Sequence, residues 1–166
     1  MNRVSHVAID AVVFDLDGVL LQSEEVWDAV REKYVRERGG RYSPDIQRAM
    51  MGMNSMEWSR YLHHVAGVPD EPVIINDEVV RRVLDAYRFH LPLIDGAVAV
   101  VRRLAAVYPL GLASSSNRAV IDAALDIAGL TPYFRATVSS EEVPRGKPAP
   151  DVYQEAARRP RSSVRA

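Results

Sequence analysis

Asp15 and Asp17 stand two positions apart behind a short apolar stretch, Val12-Val13-Phe14, with Gly18 directly after them. On an extended chain, residues two apart point to the same side, so both carboxylates aim at one place while Leu16 turns toward the core. At about 4 Å two like charges repel by on the order of 4 kcal/mol at an effective dielectric near 20, so such a pair needs a cation, a shared proton or distance. A divalent, oxygen-preferring ion such as Mg²⁺ meets that need. Taken alone, the tetrapeptide also fits an Asp that caps the next helix beside a second Asp in solvent.

Two further segments carry chemistry-bearing residues. Ser114-Ser115-Ser116-Asn117 follows the apolar run Leu110-Gly111-Leu112-Ala113 and opens a helical pattern. Hydroxyls and free backbone N–H groups meet there at a positive helix end, where anions bind. A serine-rich N-cap without ligand is the plainer alternative. Arg145-Gly146-Lys147-Pro148-Ala149-Pro150-Asp151 is a stiff turn in which Pro148 denies Lys147 a helical backbone. It either fixes Lys147 as a positioned charge or leaves it solvated.

The elements that must position these residues follow from periodicity. Residues 8–16 end a β-branched run in acids and Gly18, the pattern of a strand buried on both faces. From Ser23, Val26, Val30, Tyr34 and Val35 recur at helical spacing until Gly39-Gly40 stops them. Ser43-Pro44 is an N-cap with proline at the first helical position. Asn54-Ser55-Met56-Glu57 is an Asn-led capping box, and a further helix is predicted over 76–90 before Pro92. After Gly96 the chain alternates: helix 97–107, strand 109–113, helix 117–128, strand 135–139, and a helix from Asp151 to Arg159. Alternation of that kind means a parallel sheet with right-handed crossovers. The fold class is therefore α/β, a doubly wound parallel-sheet core interrupted after its first strand by an all-helical insertion. An insertion there lies over the carboxyl ends of the strands, where such folds bind ligands.

Acid pair, hydroxyl and lysine, in that order and each at a strand end, together resemble the haloacid dehalogenase-like phosphatases. The nearest branch is the one with an inserted helical cap that includes β-phosphoglucomutase and phosphoglycolate phosphatase. The resemblance rests on Phe14-Asp15-Leu16-Asp17-Gly18-Val19-Leu20, on Ala113-Ser114-Ser115-Ser116 and on Gly146-Lys147-Pro148-Ala149-Pro150-Asp151. It implies a Rossmann-like core at 1–20 and 92–159, with a helical cap at 21–91. It also implies an Mg²⁺-dependent phosphohydrolase of small phosphorylated metabolites. Asp15 would be the nucleophile that forms an aspartyl phosphate, and Asp17 the acid and base. Ser114 would hydrogen-bond the phosphoryl group and Lys147 neutralise it. Mg²⁺ would bridge Asp15, the backbone carbonyl of Asp17 and the phosphate, with Gly52 and Ser55 of the cap and Ser115 and Asn117 of the core contacting substrate.

The departures are equally specific. Gln22-Ser23-Glu24 replaces the family's Asp-Ser/Thr-Glu, and Ser55 and Trp27 stand where the mutase would carry a cap arginine and a hinge histidine. That favours phosphatase over sugar-phosphate mutase. The family continues beyond residue 159 into a strand ending in an acidic pair, whereas Pro160-Arg-Ser-Ser-Val-Arg-Ala166 reads as a basic tail. The expectation is a core whose C-terminal strands are missing, with the first strand left at a sheet edge and activity doubtful. A non-catalytic phosphate-binding remnant is the first rival. A receiver-type phosphorylation domain is the second, opposed by the helical insertion.

Composition bounds the rest. At 166 residues, one domain or one with a small insertion is expected. Zero cysteines exclude disulfides and thiolate chemistry. The net charge is −1, but the last nine residues hold four arginines and no acid, so the preceding body is acidic and unsuited to nucleic acid. Asp10 interrupts the N-terminus before a signal-peptide core forms, and no apolar run reaches about 18 residues. The expectation is a cytoplasmic monomer without a membrane partner. His6, His63, His64 and His90 match no motif.

Overall fold

The computed structural model describes residues 9–162, with side chains as far as Arg159. Three strands, β1 (Val12–Phe14), β2 (Leu110–Ser114) and β3 (Phe134–Ser139), form a parallel sheet in that order. Val12 pairs with Leu110 and Phe14 with Leu112, which places the residues after β1 beside those at the end of β2. Among the described residues β1 is an edge strand, as expected.

Pleating sorts the side chains onto two faces. Phe14, Leu110 and Leu112 join the larger core with Val101 of α5 (Ala97–Ala105) and Ile121 of α6 (Arg118–Ile127). Ala113 and Val138 face Val152 and Ala156 of α7 (Asp151–Ser162). Between β2 and β3 the register slips by one: Leu110 opposes Phe134, but Gly111 opposes Ala136. The extra residue, Arg135, lets Phe134 pack on the first face and Ala136 and Val138 on the second, although all three are two apart in sequence. Helices thus cover both faces, the doubly wound, Rossmann-like arrangement that the alternation predicts.

The block between β1 and α5 is helical throughout: α1 (Glu24–Glu37), α2 (Pro44–Met50), α3 (Ser55–His64) and α4 (Pro72–Phe89). Its centre is Tyr34, Leu62, Ile75, Val79, Val83 and Tyr87, all fully buried, and each aliphatic side chain there contributes about 1.5–3 kcal/mol by burial. Ser43 accepts from Ile46 N, and the box at Asn54 is complete in both directions. The chain enters and leaves this block side by side: Gln22 N donates to Pro92 O at 2.8 Å and Ile94 N to Leu20 O at 2.9 Å.

Three readings need correction. Helix α4 starts at Pro72 rather than residue 76, because a proline at the first helical position lacks an N–H that the helix would leave free anyway. Two 3₁₀ turns, Thr131–Tyr133 and Ser140–Glu142, were not predicted. The last helix, expected to end at Arg159, runs to Ser162. Residues 163–166 and the N-terminal eight, His6 among them, lie outside the described residues.

Candidate active site

Strand β1 stops at Phe14, and the two acids occupy the turn behind it. Asp15 Oδ1 accepts from Leu16 N at 2.8 Å. Its Oδ2 accepts from Lys147 Nζ at 2.6 Å and from Tyr153 OH at 3.2 Å. Lys147 also lies 4.7 Å from the centre of the Tyr153 ring and within 3.4 Å of Ala113 O. Burial alone would lower the Lys147 ammonium, but hydrogen bonds to Asp15 and Tyr153 outweigh it and hold its pKa above the ordinary lysine value.

Asp17 is held differently. Ser23 Oγ donates to its Oδ1 at 2.5 Å, and Ser114 and Ser116 Oγ donate to its Oδ2 at 3.1 and 2.9 Å. The hydroxyls are themselves fixed, since Ser114 Oγ accepts from Ser116 N and Ser139 donates to Ser116 O. The repulsion expected of the acid pair is thereby relieved, with a cation on one carboxylate and three hydroxyl dipoles on the other.

A cavity of about 260 Å³ opens between this turn and the helical block. Asp15, Asp17, Ser115, Ser116 and Lys147 line its core side, and Arg31, Asp28, Gln47 and Gly52 are among those on the helical side. Gly52 has a φ of +80°, which turns the α2–α3 loop over the site at little cost for glycine. Ser114 is fully buried and reaches the site through Asp17.

Two predicted contacts are not brought to the cavity. Ser55 is the first residue of α3, and the box at Asn54 orients that helix so that Ser55 is buried inside the block. Asn117 donates to Glu141 Oε1 at 2.8 Å and to Asn76 Oδ1 at 3.3 Å, joining the core to α4. Glu141 also accepts from Arg118 N at 2.9 Å, so the chain's own carboxylate occupies the anion seat expected at the start of α6. His63 is structural: its Nδ1 lies 3.0 and 2.9 Å from the carbonyls of Val68 and Asp70.

Sequence reasoning missed Arg31, Tyr153 and Ser116. Arg31 follows Trp27 by four, a spacing that puts both on one helix face, but its second tryptophan, Trp58, comes from α3. Tyr153 depends on how α7 crosses the sheet. For a metal, Asp15 and Asp17 form an all-oxygen pair suited to a hard cation that keeps waters and substrate oxygens. Among the described residues no group of three or more His, Cys, Asp or Glu could hold an ion. No helix among them is long and apolar enough to cross a membrane.

The chain is similar to known proteins over most of its length. A family model for haloacid dehalogenase-like hydrolases matches residues 9–161. The chain is 29% identical over 150 residues to a bifunctional riboflavin kinase/FMN phosphatase of Arabidopsis thaliana, covering 89% of this chain and 39% of that protein. It is 28% identical over 156 residues to a phosphoglycolate phosphatase of Rhodobacter capsulatus, covering 89% and 69%. A β-phosphoglucomutase from Clostridium difficile shares the fold at a TM-score of 0.80 and 17% identity, over 93% of this chain and 72% of that one.

Proposed function

Because the chain belongs to the haloacid dehalogenase-like hydrolase family, we propose that its site hydrolyses small phosphate monoesters through a phosphoryl group carried on Asp15. The observation that carries this reading is the contact of Lys147 Nζ with Asp15 Oδ2 at 2.6 Å, at the end of β1 and beneath the cavity.

An Asp15 oxygen attacks phosphorus as the bond to the ester oxygen breaks, and Asp17, which enters the step protonated, gives that oxygen its proton. Water then attacks the aspartyl phosphate, its proton passes to Asp17, and the bond from phosphorus to the Asp15 oxygen breaks. Lys147 balances the charge on the phosphoryl oxygens, the contribution that dominates such chemistry. Asp17 must release one of its three hydroxyl partners to deliver its proton, and Ser23, Ser114 and Ser116 set the geometry of that release. Mg²⁺ would be held by the Asp15 carboxylate and the backbone carbonyl of Asp17, leaving the Asp17 side chain for proton transfer, and would supply a further positive charge to the phosphate.

Phosphate binding without turnover is the second reading, favoured by the complete hydrogen bonding of Asp17. Assays of the chain and of Asp15→Asn on a panel of sugar phosphates and phosphoglycolate decide between them. Turnover that Asp15→Asn abolishes supports hydrolysis, whereas equal rates in the two contradict it.

A further inference from the structure

Arg31 sits in the cavity wall opposite the acids and plays no part in the chemistry above. Its guanidinium carbon is 5.1 Å from the Trp27 ring and 5.1 Å from the Trp58 ring, and the two indoles meet edge-on at 6.1 Å. Both rings are buried, so the cation is pinned from two sides. It forms no salt bridge with a described residue, and its Nε meets no acceptor.

Carboxylates nevertheless stand near Arg31. Burial lowers its pKa from the ordinary value, and Tyr42, Asp28 and Asp17 oppose that lowering. Asp28 and Glu24 line the same wall, and Tyr42 OH donates to Asp28 at 2.6 Å. The wall therefore presents guanidinium donors beside the carboxylates of Glu24 and Asp28 and the Gln47 amide. A second acid on the ligand would meet Asp17, Glu24 and Asp28. Hydroxyls, by contrast, accept from the guanidinium and donate to the carboxylates.

Resting on the proposed phosphatase reading, we infer that Arg31 selects the untransferred part of the ester, and that this part is an uncharged polyhydroxyl chain rather than a second acid. This separates the chain from its relative named for phosphoglycolate, whose tail is a carboxylate.

The test uses the two tryptophans, Trp27 and Trp58, which are the chain's full complement and both touch Arg31. The 166-residue chain, Arg31→Gln and Arg31→Lys are titrated without added Mg²⁺, so that ester is not consumed. The probes are inorganic phosphate, sorbitol 6-phosphate and 2-phosphoglycolate, followed by tryptophan emission and calorimetry. Sorbitol 6-phosphate should bind about tenfold more tightly than the other two and alone shift the emission. Both variants should lose that advantage while their affinity for inorganic phosphate stays unchanged. Arg31→Lys keeps a cation and an alkyl stem between the indoles, so it carries the test if Arg31→Gln fails to melt cooperatively. An advantage that persists in the variants overturns the role of Arg31. A preference for 2-phosphoglycolate that the variants lose overturns the polyhydroxyl assignment. If inorganic phosphate binds neither without Mg²⁺ nor with it, the phosphatase reading fails and this inference falls with it.

Discussion

Lys147 Nζ stands 2.6 Å from Asp15 Oδ2 although 132 positions separate the two in sequence. Only the parallel order of the strands and the α7 crossing bring them together. Lys147→Met keeps a stem against Tyr153 but leaves Asp15 without its cation, and the affinity for inorganic phosphate should fall at least about tenfold. The ammonium's pKa is raised, so its charge is present below the ordinary lysine value of 10.5 and is lost as pH rises through the higher folded value. Phosphate binding should therefore hold at about pH 9 and decline only beyond roughly 10.5. Calorimetric titration across that range checks both statements.

Gly111 of β2 lies directly against the α7 backbone. A Cβ built there would lie 2.6 Å from Ala156 O, a backbone atom that cannot swing aside. Gly111→Ala should destabilise the chain by about 1–3 kcal/mol through overpacking. It should also push Tyr153 away from Asp15, weakening phosphate binding. Thermal melting and a phosphate titration on the same variant test the two effects together.

Glu142 ties three elements at the end of β3. It accepts from Ser139 N at 2.9 Å, from Arg118, and from Arg159 of α7 at 2.9 Å. Burial pushes its carboxyl up, but Ser139 N–H, Arg118 and Arg159 together hold it below the usual carboxylate range. Its stabilisation is present above the ordinary value of 4.5 and is lost as pH falls through the lowered one. Glu142→Gln should lower the melting temperature by about 2–4 °C at neutral pH, with the difference shrinking toward about pH 3. Melts at both pH values show whether it does.

Much of this arrangement is legible in the sequence where the signal is local. Asp15 and Asp17 are readable because an apolar strand ends at Phe14, and Ser43-Pro44 and Asn54 through Glu57 carry their caps within a single turn. What escapes is set by distance. Arg31 reads as one more charge on an exposed face until α3 brings Trp58 over it. Tyr153 reaches Asp15 only through the α7 crossing, and Glu141 takes the N-terminus of α6 only because β3 ends beside it. Pro72 is ambiguous for another reason, since proline both breaks helices and begins them.

Asp15 and Asp17 also set a metal expectation. Mg²⁺ held by Asp15 and the backbone carbonyl of Asp17 would take its remaining oxygens from water and phosphate. Mg²⁺ should therefore bind the 166-residue chain weakly alone and more tightly when phosphate is present, each raising the affinity of the other by the same factor. Asp15→Asn, which removes the carboxylate that would hold the ion, should remove that mutual effect. Calorimetry of Mg²⁺ with and without phosphate measures it.

The central claim is that Asp15 carries the phosphoryl group. The direct measurement is acid quenching of the chain during reaction with an activated phosphate ester and Mg²⁺, followed by peptide mass spectrometry. The account predicts one added phosphoryl group on the peptide containing Asp15, bound as an acyl phosphate that hydroxylamine removes, and none in Asp15→Asn. Phosphate release with Asp15 unmodified, or the same label in Asp15→Asn, would contradict it.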